Sequence, residues 1–127
     1  MNQVDADTVS RSLALEIDFG LAGNGAAGNT GDGSPAIDAE LHKPIYVRSM
    51  PDGSFVICDF NNSRIRAVND QGIIGTVAGT GVSGFSGDGN LAVYAQGNRF
   101  TAVDVDGSGN MYVADQLNRR IRVIAPT

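Results

Sequence analysis

The chain contains the same unit twice, and this duplication limits the folds that are open to it. The segment Ala22–Gly33 reads AGNGAAGNTGDG, and Ala78–Gly89, 56 residues later, reads AGTGVSGFSGDG. The match continues at the same offset through much of the remaining chain. A repeat of this length indicates a solenoid, propeller or array, in which each unit buries its apolar faces only against neighbouring units.

Composition favours many short strands connected by tight turns. Of the 127 residues, 17 are glycine and only 6% are aromatic, which is typical of turn-rich β structure and not of a helical bundle. The single cysteine, Cys58, excludes a disulfide within one chain. Because it lies inside a predicted strand, we expect Cys58 to be a small buried side chain.

Charge and hydropathy argue against two classes of partner. The formal net charge is −5 and the arginines are spread among aspartates, so no basic stripe suited to nucleic acid stands out. No apolar run reaches the roughly 18 residues of a membrane span, and the N-terminus lacks the basic flank and apolar core of a signal peptide. We therefore expect neither a nucleic-acid nor a membrane partner, and the sequence does not indicate a localisation.

The residue pattern predicts strands in both repeats. After a flexible polar tail over residues 1–12, apolar residues alternate over Leu13–Leu21, as in a strand with one apolar face. The Gly-rich segment is predicted to be an ordered loop, followed by a short helical turn within Ser34–Leu41. Further strands are predicted near Ile45–Met50, Ser54–Asp59, Arg64–Val68, Ile73–Ala78, Thr101–Val105, Asn110–Asp115 and Arg120–Ile124.

The repeated residues resemble the NHL repeat, whose pattern combines a Gly-Asn turn, a Tyr-Val-Ala-Asp strand, an Asn and an Arg-Ile strand. This pattern is found in Gly109–Asp115, Asn118 and Arg120–Val123, and again in Pro44, Phe55–Asp59, Asn62 and Arg64–Arg66. The long Gly-rich loop resembles a variant common in large bacterial NHL propellers. Gly97 and Phe100 depart from the family, which has Leu and Pro there. The resemblance implies an all-β β-propeller built from four-stranded antiparallel blades.

The resemblance also implies an assembly. NHL-like propellers usually have six blades, so two four-stranded blades per chain imply a homotrimer, with a dimer or tetramer as alternatives. At the constant offset, Ile17–Leu21 matches Ile73–Val77, so the predicted strand over residues 13–21 corresponds to the outer strand of a blade, whereas the second repeat, residues 79–127, lacks that strand. We expect the N-terminal strand to complete a blade of a neighbouring copy by strand exchange. The alternative is that the chain, with its first repeat at residues 22–78, is a fragment of a longer propeller.

Polar residues that recur in both repeats are predicted to be structural. Aspartates end the second strand, asparagines follow in the next turn and arginines open the third strand, giving Asp59, Asn62 and Arg64 in one repeat and Asp115, Asn118 and Arg120 in the other. The asparagine can bond to the turn, and the arginine can pair with the carboxylate. Because a single active site rarely needs one copy in every blade, the duplication favours a scaffold role.

Charged residues on the predicted innermost strands indicate a feature of the channel. The offset pairs Arg48 with Asp104, and in a trimer these residues would alternate around the axis as a charged ring. The segment Asp104–Asn110 resembles the opening of a calcium loop, but in a propeller it is a hairpin turn that does not wrap an ion. With His42 as the only histidine and no cysteine cluster, neither a metal nor another cofactor is expected.

These features favour a non-catalytic binding or scaffold module. The Gly-rich loops and the turns after the second strands leave the same end of a blade, where Phe60, Phe85 and Tyr94 are candidate contacts for a protein, peptide or glycan ligand. One alternative is a propeller-type hydrolase or lyase with its site in the channel, and another is a purely architectural ring. Threefold repetition of two blades disfavours an asymmetric channel site, so the balance is against an enzyme.

Overall fold

The computed structural model describes Leu15, Ile17 and residues 19–126. In this part of the chain two antiparallel sheets contain all the strands, and the helical residues lie in short 3-10 turns. The first sheet, blade 1, has the order β1-β2-β3-β4, and the second, blade 2, has the order β5-β6-β7. The strands are β1 (Pro44–Ser49), β2 (Phe55–Asp59), β3 (Arg64–Val68), β4 (Ile74–Ala78), β5 (Phe100–Val105), β6 (Met111–Asp115) and β7 (Arg120–Ile124). The prediction of an all-β fold is confirmed.

Both blades use the same strand register. Val47 lies opposite Ile57 in blade 1, and Val103 lies opposite Val113 in blade 2. The hairpin between the first two strands turns through a glycine in the left-handed region, which side chains other than glycine rarely adopt. These glycines are Gly53 with φ 88° and Gly109 with φ 86°.

Blade 1 is four-stranded within one chain and blade 2 is three-stranded, which agrees with the expected lack of an outer strand in the second repeat. Blade 2 has three strands, and the outer edge of β7 has no strand beside it in the described residues. The segment predicted to supply such a strand to a neighbour, Leu13–Leu21, falls partly outside these residues. Leu15, Ile17 and Phe19 are in no strand of this chain and are largely exposed, so the exchanged strand stays a prediction.

A shared apolar core joins the two blades. Blade 1 contributes Val56, Cys58, Ile65 and Ala78, and blade 2 contributes Phe100, Val103, Met111 and Val113. All of these residues are buried, and each large aliphatic side chain removed from water stabilises the pair by about 1.5–3 kcal/mol. Neither blade could keep this face dry alone, so the two sheets depend on each other.

The Gly-rich loop of blade 1, predicted to be ordered, packs over the outer half of the sheet. Its short helical turn is a 3-10 segment, Ala36–Asp38, which lies within the predicted range. Ala36 and Ala39 are fully buried against Ile57, Val68 and Ile74. None of the helical segments in the described ranges is long and apolar enough to cross a membrane.

The close approach of this loop to Ala39 gives a test of its packing. Gly31 has φ 106°, and a Cβ there would lie 2.7 Å from the Ala39 Cα. Gly31→Ala should therefore lower the free energy of unfolding by about 1–2 kcal/mol for the left-handed backbone and by about 1–3 kcal/mol more for the overlap. Urea unfolding of the purified variant would measure this loss.

Gly33→Ala is the matched control for that variant. Gly33 also has a positive φ, of 83°, but no atom lies within 4 Å of its added Cβ. Only the backbone cost, about 1–2 kcal/mol, is expected. Equal losses for the two variants would show that the contact between Gly31 and Ala39 does not matter for stability.

Candidate functional site

A buried polar node lies where the Gly-rich loop crosses blade 1. The Asp59 carboxylate is fully buried and accepts hydrogen bonds from the His42 backbone N–H and from Asn62 Nδ2, both at 2.7 Å. Asn62 Nδ2 also donates to the Gly28 carbonyl at 2.7 Å. The node therefore ties the turn after β2 to the loop and to the chain entering β1.

Blade 2 contains the same node with the same contacts. Asp115 accepts from the Asn98 backbone N–H at 2.7 Å and from Asn118 Nδ2 at 2.8 Å. Asn118 Nδ2 in turn donates to the Gly84 carbonyl at 2.8 Å. Because buried polar groups are costly unless they are hydrogen-bonded, the duplicated geometry is that of a structural tie.

The arginine that pairs with each carboxylate differs from the one predicted. Arg66, not Arg64, approaches Asp59, with 3.6 Å between Nη1 and Oδ2, and Arg122, not Arg120, approaches Asp115 at 3.2 Å. Arg64 instead donates to the Thr80 carbonyl. The sequence carried a signal for the true partners, since Arg66 and Arg122 also match at the repeat offset.

Arg66 is held in place from several sides. Its side chain is fully buried, Nη2 donates to the Thr30 carbonyl and to Asp32 Oδ1, each at 2.9 Å, and Nη1 donates to the Glu40 carbonyl. Although partial burial opposes it, hydrogen bonds from Thr76 and Arg66 lower the pKa of Asp32 below its ordinary value. The loop is thus fixed to β3 and β4 by charge-assisted hydrogen bonds, which are the stronger class.

The two charged residues predicted for the channel meet within one chain. Arg48 Nη2 lies 3.2 Å from Asp104 Oδ1, across the contact between β1 and β5. Both side chains are substantially exposed, and exposed ion pairs contribute little stability. A closed ring of such pairs needs further copies of the chain and stays a prediction.

The three aromatic residues predicted as ligand contacts lie in different segments. Phe60 begins the turn after β2, with Lys43 Nζ 5.2 Å and the Arg99 guanidinium 5.6 Å from its ring centre. Phe85 lies in the Gly-rich loop of blade 2, 3.8 Å from the Arg120 guanidinium. Tyr94 ends a short 3-10 turn and is exposed. Two of the rings already have cation–π partners, so Tyr94 is the most accessible.

The titratable groups are engaged in separate structural contacts. Burial raises the pKa of the Cys58 thiol to about 12, which disfavours the reactive thiolate. Hydrogen bonds from Asn110 and Tyr112 lower the pKa of Asp106 to about 2, within its own turn. The two carboxylates of the calcium-like segment therefore serve different contacts, Asp104 with Arg48 and Asp106 with its own turn.

Corresponding residues of the two blades differ sharply in exposure. Ile65 is 0% exposed because blade 2 covers it, whereas Ile121, at the matching position, is 69% exposed. The reverse holds at the first strands, where Val103 is 2% exposed and Val47 is 58% exposed. We call the exposed face of blade 1 that contains Ile45 and Val47 the leading face. The exposed face of blade 2 that contains Tyr112, Ile121 and Val123 is the trailing face.

A groove runs along the unpaired edge of β7. Its volume is about 380 Å³, and its walls include the loop residues Asp88–Ala92, with Ala95 and Val113, and the strand residues Arg120–Ile124. We call it the edge groove. Sequence reasoning predicted the missing strand but not the shape of the cavity that it leaves.

The fold is similar to that of solved structures of Bacteroides proteins. An auxiliary nutrient binding protein from Bacteroides thetaiotaomicron VPI-5482 has 27% identity and a TM-score of 0.65, over 81% of this chain and 27% of that one. A protein from the same strain, provisionally named a phosphatase, has 24% identity and a TM-score of 0.62, over 82% and 25%. An auxiliary nutrient binding protein from Bacteroides ovatus ATCC 8483 has 22% identity and a TM-score of 0.62, over 80% and 26%.

These similarities have a limited reach. The chain spans about a quarter of the length of each of these structures. The two matches of lower identity show the fold alone. No protein-family model matches the chain, and no curated protein matches it, so membership of the NHL family stays a prediction.

Arginine substitutions test the composition of the node. Arg66→Met removes the only cation beside the buried Asp59 among the ion pairs of the described residues, and it takes the side-chain donor from the Glu40 carbonyl. Breaking a buried pair in this way should lower the free energy of unfolding by about 3–5 kcal/mol. Arg64→Met, the control, removes one hydrogen bond and should cost about 1 kcal/mol. Urea unfolding measures both, and a larger loss for Arg64→Met would contradict the pairing described above.

Proposed function

We propose that copies of this chain associate head to tail into a closed ring of blades that serves as a non-catalytic binding module. The observation that carries the proposal is the match between the leading and trailing faces. Each consists of residues whose counterparts form the buried contact between blade 1 and blade 2. The trailing face of one copy can therefore receive the leading face of the next in the geometry already used inside the chain.

Apolar burial provides the driving force for this association. Tyr112, Ile121 and Val123 are exposed in the single chain, and isolated soluble proteins rarely leave large contiguous apolar patches open. Contacts between different faces produce rings when the rotation closes. With the six blades implied by the NHL resemblance, three copies make a homotrimer, and a dimer or tetramer would correspond to other blade numbers.

Polar contacts between the two blades of one chain can also form between two copies. Inside the chain, Arg99 Nη1 donates to the Asn61 carbonyl at 2.8 Å, and Ser63 Oγ lies 3.0 Å from Ser83 Oγ. At the repeat offset, Lys43 takes the place of Arg99 and Leu117 that of Asn61. In the ring the Lys43 ammonium would therefore reach the Leu117 carbonyl of the preceding copy.

A binding role agrees with the neighbour that has 27% identity to this chain. That structure is named an auxiliary nutrient binding protein. We call the end of the blades that carries the Gly-rich loops and the turns after β2 and β6 the loop face. Here the ligand would bind on the loop face, where Tyr94 is exposed and the rings of Phe60 and Phe85 have cationic side chains beside them. A peptide or a glycan fits such a surface, since aromatic and cationic groups recognise both. The ring of Arg48 and Asp104 would line the channel beside it.

Two other functions are favoured by particular observations. A hydrolase with its site in the channel is one alternative to this proposal, and the neighbour provisionally named a phosphatase shares its fold with this chain. The quarter-length coverage supports a segment of a longer propeller, in which neighbouring blades of the same polypeptide would cover both faces.

The mass of the protein in solution tests the ring. Light scattering coupled to size-exclusion chromatography should give about three times the 13.2 kDa chain mass. Ile121→Asp places a charge in the trailing face and should shift the protein towards monomers, because each contact then loses about 1.5–3 kcal/mol of apolar burial. Ile37→Asp is the control. Its counterpart Val93 stays exposed although the two blades of one chain are in contact, so Ile37 should also stay exposed when two copies associate. A monomeric wild-type protein would overturn the ring.

Binding is tested separately on glycan and peptide arrays. A ligand that binds the loop face should bind the Tyr94→Ala variant at least about tenfold more weakly, the effect of losing roughly 1.4 kcal/mol. Asp70→Ala changes an exposed residue in the turn between β3 and β4, outside the leading and trailing faces, and is the control. Turnover of p-nitrophenyl phosphate by purified protein, at a rate proportional to its concentration, would favour the hydrolase instead.

A further inference from the structure

The edge groove has a filled counterpart in blade 1. There β4 pairs with β3 on one side and bonds to the Gly-rich loop on the other, through Gly33 N–H to the Ile74 carbonyl at 2.8 Å and Ile74 N–H to the Ser34 carbonyl at 3.1 Å. In blade 2 the corresponding loop residues are Gly89 and Asn90, and both line the edge groove. The groove is therefore bordered on both sides by backbone able to pair with an inserted strand.

The apolar floor of the groove also repeats that of blade 1. Ile74 is buried against Ala36, Ala39, Ile57 and Val68. The residues at the matching positions are Ala92, Ala95, Val113 and Ile124, and every one of them lines the edge groove. The cavity is thus the space that a β4-like strand and its buried side chain would occupy.

The segment that precedes Ala22 is placed to serve as this strand in a second copy. Gly79 N–H, just after β4, donates to the Ala92 carbonyl at 3.0 Å, and Gly23 N–H donates to the Ala36 carbonyl at 2.9 Å in the same way. Chain entering blade 1 at Ala22 therefore has the relation to that blade that β4 has to blade 2. In a head-to-tail ring this segment would lie along the outer edge of blade 2 of the preceding copy.

We propose that the edge groove receives residues 13–21 of a second copy as a fourth antiparallel strand of blade 2. Phe19 would fill the pocket of blade 2 that corresponds to the site of Ile74 in blade 1. This inference rests on the ring under Proposed function. The main chain would supply the affinity and the alternating apolar side chains would supply the register, as in other cases of strand addition to a sheet edge. Leu15, Ile17 and Phe19 expose their side chains in the single chain.

The register follows from what the pocket accepts. In blade 1 the pairing shifts between Ile65 and Arg66, so that Ala78 lies opposite Ile65 and Ile74 opposite Val68. The same shift in the exchanged strand would place Asp18 opposite Ile124 and bury a carboxylate among apolar groups, which is costly. A regular strand starting from Ala22 opposite Ile121 places Phe19 opposite Ile124 instead.

Cysteine cross-linking between copies tests both the site and the register. In the regular register Gly20 lies opposite Val123, and directly opposed residues on antiparallel strands are close enough for a disulfide. We expect an equimolar mixture of Gly20→Cys and Val123→Cys chains to form a covalent dimer on mild oxidation, while neither chain alone does so. Phe19→Cys mixed with Val123→Cys, the pair opposed in the shifted register, should give at least about tenfold less.

Other outcomes would overturn the proposal. A stronger link from Phe19→Cys would show the shifted register and refute the Phe19 pocket. A trimeric mass without either link would refute the exchanged strand while leaving the ring intact. A doubly substituted chain, Gly20→Cys with Val123→Cys, that links only within itself would show that the segment folds back.

A full-length point variant provides the second measurement. Phe19→Asp should raise the concentration at which the trimer dissociates about tenfold or more, the effect expected from losing one large buried apolar side chain. Asp18→Asn alters the opposite face of the strand and should leave that concentration unchanged. An unchanged value for Phe19→Asp, or an equal effect of both variants, would contradict the proposal.

Discussion

Each blade of this protein has two apolar faces, and within a single chain only the faces that the two blades turn towards each other are covered along the inner strands, whereas Val47 on blade 1 and Ile121 on blade 2 stay exposed. The comparison of Ile65 with Ile121 isolates this constraint, because the two residues occupy the same register in the same kind of strand and differ in whether a further blade lies beside them. Sheets of this kind are stable only when both faces are packed. The exposed faces are therefore a consequence of repetition itself.

Buried charge has a structural task in this setting. Asp59 and Arg66 lie in an apolar sheet, yet their hydrogen bonds go to loop carbonyls and turn amides that would otherwise lack partners. A buried ion pair adds little stability compared with well-packed apolar residues, but removing one member is costly. The node thus explains why residues that look chemically active in the sequence recur in each blade: they determine where a long glycine-rich loop crosses the sheet.

The sequence predicted the strands, the loop turn and the polar node because these depend on local patterns and on comparison of one repeat with the other. It did not identify which arginine reaches Asp59, because Arg64 and Arg66 both have long, flexible side chains. Only the position of the folded loop determines which of them approaches the carboxylate. The contact between Arg48 and Asp104 could not be predicted from the repeat alone, because it depends on the angle between the two blades. The exposure of the candidate contact residues Phe60, Phe85 and Tyr94 was least predictable, because it depends on which cationic side chains lie over the rings.

The unpaired edge of β7 connects the stability of the chain with its assembly. Exposed strand edges invite pairing with other chains, and proteins often protect them with charged side chains. Here Arg122 cannot protect the edge, because its guanidinium is directed to Asp115 and Asp88 and to the loop carbonyls. The edge groove is then lined by an apolar floor that includes Ala92, Val113 and Ile124, with the charged residues Asp88 and Arg120 beside it. In blade 1 the corresponding space is filled by β4, whose Ile74 lies opposite Val68. A cover of the same kind on blade 2, from a second copy or from further blades, would present an extended strand with an apolar side chain opposite Ile124.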